Sequence, residues 1–152
     1  KGLAVAVKVV DNRPSNVISK WQGGLKVRKF TIISQGDLKD IFSTRVQQGL
    51  TKLGFLPKNY NPRTERILKV EILNIKSRYQ ENIPRMSIQV KADVKVTCQN
   101  RGESLSKKFT SRKRRSDINP TTFPNEKLLN ASLSEIMGDI FSDPPLINCL
   151  TH

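Results

Sequence analysis

Residues 86–98 alternate apolar and polar side chains without a break. The even positions hold Met86, Ile88, Val90, Ala92, Val94, Val96 and Cys98, and the odd positions hold Ser87, Gln89, Lys91, Asp93, Lys95 and Thr97. Successive residues of a β-strand point to opposite faces, so this pattern predicts one long strand with a buried face and a wet face. A strand buried on both faces of a parallel sheet would be apolar throughout. We therefore expect an antiparallel sheet that is covered on one side, with Lys91, Asp93 and Lys95 turned towards water or a partner.

Other patterns predict the elements around this strand. Strands are predicted at residues 3–10, 67–79 and 104–115, and residues 25–33 read as an edge strand or arm; residues 15–24, with Trp21, read as a loop. One helix is capped by Ser34 or Asp37 and ended by Gly54, and a second spans about residues 125–141 before Asp143, Pro144 and Pro145 stop it. With two amphipathic helices and one wet sheet face, both helices belong on the same side. Residues 1–152 are thus predicted to form a single α+β domain, a two-layer sandwich of a mainly antiparallel sheet with two helices on one face.

The charge of the chain is strongly positive and unevenly placed. Its 27 lysines and arginines oppose 13 acidic residues, which gives a net charge of +14. From Ser116 onward one basic residue opposes five acidic ones, a net −4, so the first 115 residues carry +18. This excess predicts an acidic partner, which nucleic acid, anionic lipid or an acidic protein could supply; for scattered charges a solvated surface is the simpler interpretation.

Residues able to carry catalysis or bind a metal are sparse. The single histidine is His152, so a histidine-based triad or histidine metal cage within this chain is excluded. Neither a CxxC motif nor a glycine loop for phosphate occurs. Asp11 is predicted to cap a turn and pair with Arg13, and Asp93 to form a cross-strand salt bridge. We expect neither an enzyme nor a bound cofactor or metal.

Four features are candidates for partner contact. Trp21, flanked by glycines, is either a packing residue or an interface anchor. The arm, residues 25–33, contributes Lys26, Arg28 and Phe30, and the apolar tail, residues 146–150, contributes Leu146, Ile147 and Leu150. The basic run, residues 112–115, consists of Arg112, Lys113, Arg114 and Arg115. It could contact phosphates, but six phenylalanines, two tyrosines and one tryptophan give no stacking platform for bases.

The two cysteines leave two interpretations open. Cys98 lies on the apolar side of its predicted strand, and Cys149 lies in the apolar tail. In an oxidising compartment, docking of the tail against that side would let the two form a disulfide. Equally, Cys98 can be a small buried apolar residue.

Short matches spread along the chain resemble a known family. They are Asp11-Asn12-Arg13, residues 34–38, Leu53-Gly54-Phe55, residues 90–94, and residues 129–134 with Asp139. In this order they resemble the YajG-like lipoproteins of Gram-negative bacteria. The resemblance implies an acylated cysteine upstream of Lys1, a short linker, and a periplasmic domain held to the outer membrane. The strong positive charge, Cys98, Cys149 and the basic run depart from that family.

These observations favour a non-enzymatic, outer-membrane-associated periplasmic domain that serves as a structural or interaction subunit of a cell-envelope assembly, such as a secretion system. Its partners would be other envelope proteins, contacted through the arm, Trp21 and the tail. The alternative is a basic, cytoplasmic nucleic-acid-binding domain, against which the sparse aromatic residues argue. A third hypothesis is an adaptor for peptidoglycan or anionic lipid.

Overall fold

A computed structural model describes residues 2–15, 17–22, 28–32, 35–82, 85–116 and 125–152. Within these ranges the chain forms seven strands and three helices. The strands are β1 (Ala4–Asp11), β2 (Val17–Gln22), β3 (Arg28–Ile32), β4 (Leu56–Asn59), β5 (Arg66–Asn82), β6 (Arg85–Asn100) and β7 (Glu103–Ser116). The helices are α1 (Gln35–Lys52), α2 (Asn125–Phe141) and α3 (Pro144–Thr151). The α+β class predicted from the sequence is confirmed.

All seven strands belong to one sheet built around β5. On one side of β5, the long strands β6 and β7 follow in antiparallel order. On the other side, β1 pairs with the first half of β5 and β2 with Ser77 in its second half. The sheet continues from β1 to β4 and from β2 to β3. The sheet is therefore mostly antiparallel, as predicted.

The parallel part of this mainly antiparallel sheet is the pairing of β1 with β4 and β5 and of β2 with β5. Parallel neighbours need a crossover connection, and α1 lies between β1 and β4 along the chain and packs on both. The alternation within residues 3–10 marks a strand but carries no information about the direction of its neighbours, so the sequence pattern could not reveal this pairing.

A β-bulge in β5 adjusts the side-chain pattern to the core. Ile72 pairs with Val94 and Asn74 with Asp93, so the register shifts around residue 73. One extra residue reverses the alternation, and both Ile72 and Ile75 consequently lie on the helix side, fully buried. Without this shift, Ile75 would face away from the core.

The core lies between the sheet and the helices. The predicted inward residues Val90, Val94 and Val96 have no exposed surface, as do Ile88 and Cys98. The helices contribute apolar stripes at helical spacing, namely Leu38, Phe42, Val46 and Leu50 from α1 and Leu129, Leu133, Ile136 and Ile140 from α2. Gly54, at φ +90°, ends α1 and lets Phe55 fold back into the core, as predicted.

The helix layer has a third member that the sequence analysis missed. The two prolines after Asp143 do stop α2, but they also occupy the first turn of α3, where a proline loses no helical hydrogen bond. The Asp143 carboxylate caps α3 by accepting a hydrogen bond from the Leu146 backbone N–H at 3.1 Å. The prediction of two helices is therefore corrected to three.

The region before α1 also differs from its prediction. Residues 17–22 form β2 rather than a loop, so Trp21 lies in a strand, where its backbone pairs with Lys29. The predicted arm is partly confirmed, because β3 pairs with β2; residues 25–27 and 33 lie outside the described part of the chain. The turn predicted near residues 82–84 is also outside it, whereas Arg101 and Gly102 form the predicted turn between β6 and β7, with φ +53° and +83°.

Candidate functional site

The side of the sheet that faces away from the helices has a strong excess of positive charge among its described side chains. We call it the open face. Strand register assigns to it nine basic residues with described side chains: Lys8, Lys58, Lys69, Lys76, Lys91, Lys95, Lys108, Arg112 and Arg114. Within the same described strands, its carboxylates are Glu71 and Asp93. The open face therefore has an excess of seven positive charges.

Three of these cations lie directly side by side. Lys76 of β5 pairs in register with Lys91 of β6, which in turn pairs with Arg112 of β7. Residues opposite each other on neighbouring strands have Cβ atoms about 4.5–5.5 Å apart, and like charges in such positions are destabilising. Nearby, Lys95 and Lys108 form a second cross-strand cationic pair. This arrangement concentrates charge where folding alone would favour alternation of sign.

Asp93 departs from its predicted exposure. Only 6% of it is exposed, although it lies on the open face. The Thr110 hydroxyl donates to the carboxylate at 2.7 Å, and the Lys91 Nζ lies 3.8 Å from it on the same strand. These two contacts hold the carboxylate against the sheet. The predicted cross-strand salt bridge is thus replaced by an ion pair within β6 and a cross-strand hydrogen bond.

Three other contacts organise the open face near β1. The Lys69 Nζ lies 3.5 Å from a Glu71 carboxylate oxygen, and Asn12 donates a hydrogen bond to Glu71 at 3.0 Å. The Lys8 Nζ sits 4.6 Å from the centre of the Tyr60 ring, a cation–π contact. Tyr60, 44% exposed, thereby places an aromatic ring at the rim of the face.

The basic run does not form one patch. Its residues alternate across β7, so Arg112 and Arg114 lie on the open face, while Lys113 and Arg115 pair with Val90 and Ile88 on the helix side. There Lys113 forms an ion pair with Glu135 of α2. The hydrogen bond and the charge of Lys113 lower the pKa of the Glu135 carboxyl. Lys113 therefore joins the helix layer to the sheet.

The tail is not an exposed contact segment. Leu146 and Leu150 are buried in the core of this chain, at 0% and 1% exposure, so the expectation that they touch a partner is corrected. They point inward because positions i and i+4 share one face of α3. Ile147 is half-buried on the same helix.

A disulfide and two hydrogen bonds hold α3 to the sheet. Cys98 of β6 is bonded to Cys149, with Cα atoms 6.4 Å apart. The Asn100 side chain donates to the Cys149 carbonyl and the Arg66 Nε to the Leu150 carbonyl, both at 2.8 Å. The tail therefore docks on the apolar side of β6, which is the geometry that the disulfide interpretation of the sequence required.

The Asp11–Arg13 pair matches its prediction as a turn cap and ion pair. The Arg13 backbone N–H and Nε donate to one Asp11 oxygen at 3.1 and 2.9 Å, and its Nη2 lies 2.8 Å from the other. Both side chains are almost completely buried. Burial by itself raises the pKa of Asp11, but the hydrogen bonds and charge of Arg13 outweigh it and lower that pKa.

Of the remaining predicted contact residues, the structure gives backbone positions only for Trp21 in β2 and for Arg28 and Phe30 in β3, while Lys26 lies outside the described residues. In the part of the chain that is described, no group of three or more His, Cys, Asp or Glu could hold a metal ion. No described helix is long and apolar enough to cross a membrane.

Sequence reasoning missed Lys8, Lys69 and Lys76 as members of the site. Each is an ordinary solvated lysine when its strand is considered alone. Only the register brings these residues beside those of β6, because a shift of one residue in β5 would move its lysines to the other side of the sheet. The spacing of Lys91 and Lys95 was the available signal, since both occupy wet positions of the alternating strand.

Comparison with known proteins gives one family and several similar folds. A family model described as an uncharacterized lipoprotein matches residues 1–151. A search of curated proteins gives no match.

Three solved structures share the fold. A Xanthomonas campestris protein is 10% identical, with a TM-score of 0.58, over 98% of this chain and 84% of its own. A Helicobacter pylori protein named as a neuraminyllactose-binding hemagglutinin homologue is 8% identical, with a TM-score of 0.57, over 99% and 88%. A Chlamydia trachomatis hypothetical protein is 12% identical, with a TM-score of 0.51, over 93% and 96%. At these identities the likeness establishes the fold alone.

Proposed function

This chain belongs to a family of uncharacterized lipoproteins, and from that membership we propose a role in the cell envelope. The domain is the non-enzymatic, periplasmic part of a YajG-like lipoprotein, held to the outer membrane by a lipid anchor upstream of Lys1. It serves as a structural or interaction subunit of an envelope assembly such as a secretion system.

The observation that carries this proposal is the open face. Helices cover one side of the sheet, and the other side presents nine cations and two carboxylates on regular strands. A broad charged sheet surface suits attachment to a large partner, whereas small-molecule sites are concave and mostly apolar. The architecture therefore supports a binding role.

The outer strands offer a second means of attachment. Among the described residues, β3 pairs with β2 alone and β7 with β6 alone, so each has an outer edge that another chain could extend. Strand edges of this kind bind partners by adding a strand, or are covered by a neighbouring subunit. β2 contains Trp21 and β3 contains residues 28–32 of the arm, which are among the contact candidates that the sequence proposed.

The disulfide supports the proposed compartment. A bond between Cys98 and Cys149 persists in an oxidising space such as the periplasm and is rare in a reducing cytosol. We expect protein taken directly from cells to resist a thiol-alkylating reagent until it is unfolded and reduced. Rapid labelling of both cysteines in unfolded, unreduced protein would contradict a periplasmic location.

Isolation of the native lipoprotein in mild detergent tests the assembly role. We expect it to migrate as part of a large complex with co-purifying envelope proteins. Trp21→Ala should release the subunit from that complex, whereas the matched control Lys127→Gln, a change on the exposed side of α2, should not. Migration of the unaltered protein as a free monomer, with no co-purifying protein, would overturn the proposal.

The positive charge also favours one alternative, a nucleic-acid-binding domain. Rows of cations neutralise phosphates without reading bases, and such binding falls steeply with salt. We expect only weak, sequence-independent binding to an oligonucleotide that vanishes near physiological ionic strength, about 150 mM. Tight binding under that condition would promote this alternative over the envelope role.

A further inference from the structure

We propose that the open face binds the phosphate headgroups of an anionic lipid bilayer. This inference rests on the proposed envelope location and adds the chemistry of the surface that the domain touches. It starts from the excess of seven positive charges on the open face and from the directly opposed cations Lys95 and Lys108, for which the described residues show no ion pair. Like charges in such positions oppose folding, and an anionic surface would neutralise them.

The type of cation favours a phosphate surface over a protein partner. Seven of the nine basic residues on the open face are lysines, and the two arginines, Arg112 and Arg114, are both on β7. Protein interfaces are depleted of lysine and depend on buried aromatic and arginine anchors. Lysine clusters bind anionic headgroups through charge alone.

The distribution of charge also orients the domain. The helices on the opposite side contain five acidic and four basic residues, so that layer is nearly neutral, whereas the open face has seven excess positive charges. An anionic plane therefore attracts one side of the molecule much more strongly than the other. Strand rise and spacing make the region between β1 and β7 about 15 Å wide and about 30 Å long, which lets several headgroups bind together.

Nucleic acid fits the open face less well. Single strands are held by aromatic rings that stack on successive bases. Among the side chains that the structure describes on this face, Tyr60 supplies an aromatic ring at the rim, and the Lys8 ammonium lies over it. Between the lysines of this face lie polar cross-strand rows such as Asn74, Asp93 and Thr110. The described side chains in these rows include no aromatic residue.

The test is flotation of the 152-residue chain with vesicles of phosphatidylglycerol and phosphatidylcholine, compared with vesicles of phosphatidylcholine alone. The open-face variant carries Lys95→Gln, Lys108→Gln and Arg112→Gln, all exposed positions without a described ion pair. The control variant carries Lys39→Gln, Lys52→Gln and Lys127→Gln, exposed positions on the helices. Both variants lose three positive charges, so they differ only in which side is changed.

We expect the unaltered chain and the control to bind the anionic vesicles and to ignore the neutral ones. The open-face variant should bind on the order of a hundredfold more weakly, because each cation near an anionic surface contributes roughly fivefold to affinity. Equal loss in both variants would overturn the proposal, since net charge rather than this face would then govern binding. Absence of binding to anionic vesicles at about 150 mM salt would overturn it as well.

Additional measurements distinguish lipid phosphate from other sources of phosphate, and the lipid contact from the assembly role. Inorganic phosphate at millimolar concentration should not displace the protein from vesicles. A duplex oligonucleotide should compete with the vesicles only weakly. Tight oligonucleotide binding with no vesicle binding would instead assign the open face to nucleic acid. The open-face variant leaves Trp21 and the backbone edges of the outer strands unchanged, so it should still co-purify with the envelope complex in detergent. Loss of vesicle binding with retention of the complex would separate the lipid contact from the assembly role.

Discussion

Val94 and Lys95 are neighbours in one strand, yet they belong to two regions with different physical constraints. Val94 lies on the covered face, has no exposed surface and packs among helix residues. Lys95 lies on the open face, exposed beside Glu71 and Lys108. The covered face is specified by shape and burial, whereas the open face is specified by charge. Covered positions should therefore be sensitive to almost any change, and open positions should be sensitive chiefly in binding.

The largest expected difference in the free energy of unfolding comes from placing a charged side chain at position 94 and an apolar one at position 95. Val94→Lys places an ammonium group in the apolar core without a counter-charge, which should lower the free energy of unfolding by several kcal/mol or prevent folding. Lys95→Val removes an exposed charge and should change the free energy of unfolding by less than about 0.5 kcal/mol. Urea denaturation measures both.

Equal stability losses for Val94→Lys and Lys95→Val would break the distinction between the faces. A conservative control is Val94→Ile, which keeps the apolar character and adds a single methylene group. It should lower the free energy of unfolding far less than Val94→Lys does. The vesicle assay should show the reverse order of sensitivity: Lys95→Val should weaken binding, and Val94→Ile should not.

The comparison also explains which parts of the structure could be predicted. The alternation in residues 86–98 specifies which side of β6 is buried, because the core accepts one set of side chains and rejects the other. The stripe of Leu38, Phe42 and Val46 predicted α1 for the same reason. The open face could not be predicted as a unit, because its lysines come from strands whose register and direction depend on long-range pairing and on the bulge near Ile72.

The other errors arose because one local sequence signal is compatible with two different structures. Asp143 and the prolines after it end one helix and begin another, and the sequence signal for both events is the same. Asp93 is a charged residue at a position predicted to face water, but its neighbours on three strands bury it. For Asp93 the deciding contacts come from strands that are distant in the sequence, whereas for Asp143 the cap is local but its signal is the same as that of a helix end.

A smaller effect is expected from the buried ion pair beside the covered core. Asp11→Asn leaves the Arg13 guanidinium without this carboxylate in a site where both side chains are almost fully buried. Breaking such a pair costs about 3 kcal/mol or more at neutral pH. An isosteric change at an exposed acid such as Asp40 should cost less than about 0.5 kcal/mol and is the control.

The ion pair also predicts the direction of a pH effect. The pKa of Asp11 is lower in the folded chain than its ordinary value of 3.8, so its stabilising contribution is complete above that value and is lost as pH falls through the lowered pKa. The gap in free energy of unfolding between the unaltered chain and Asp11→Asn should therefore shrink below about pH 4. A gap that stays constant from pH 7 down to the acid limit of folding would contradict this linkage.

The smallest effect tests how closely the helix layer itself is packed. A Cβ atom added at Gly49 of α1 would lie 2.3 Å from the Phe141 ring of α2, whereas one added at Gly138 of α2 would meet nothing within 4 Å. Gly49→Ala should therefore destabilise the chain by about 1–3 kcal/mol through forced displacement of the ring. Gly138→Ala should stabilise it by about 0.5–1 kcal/mol, because alanine loses less conformational entropy in a helix. Opposite signs in urea denaturation would show that the cover over the sheet is close-packed where α1 meets α2, and stabilisation by both alanines would refute that contact. Neither change alters the open face, so vesicle binding should stay the same in both variants as long as they remain folded.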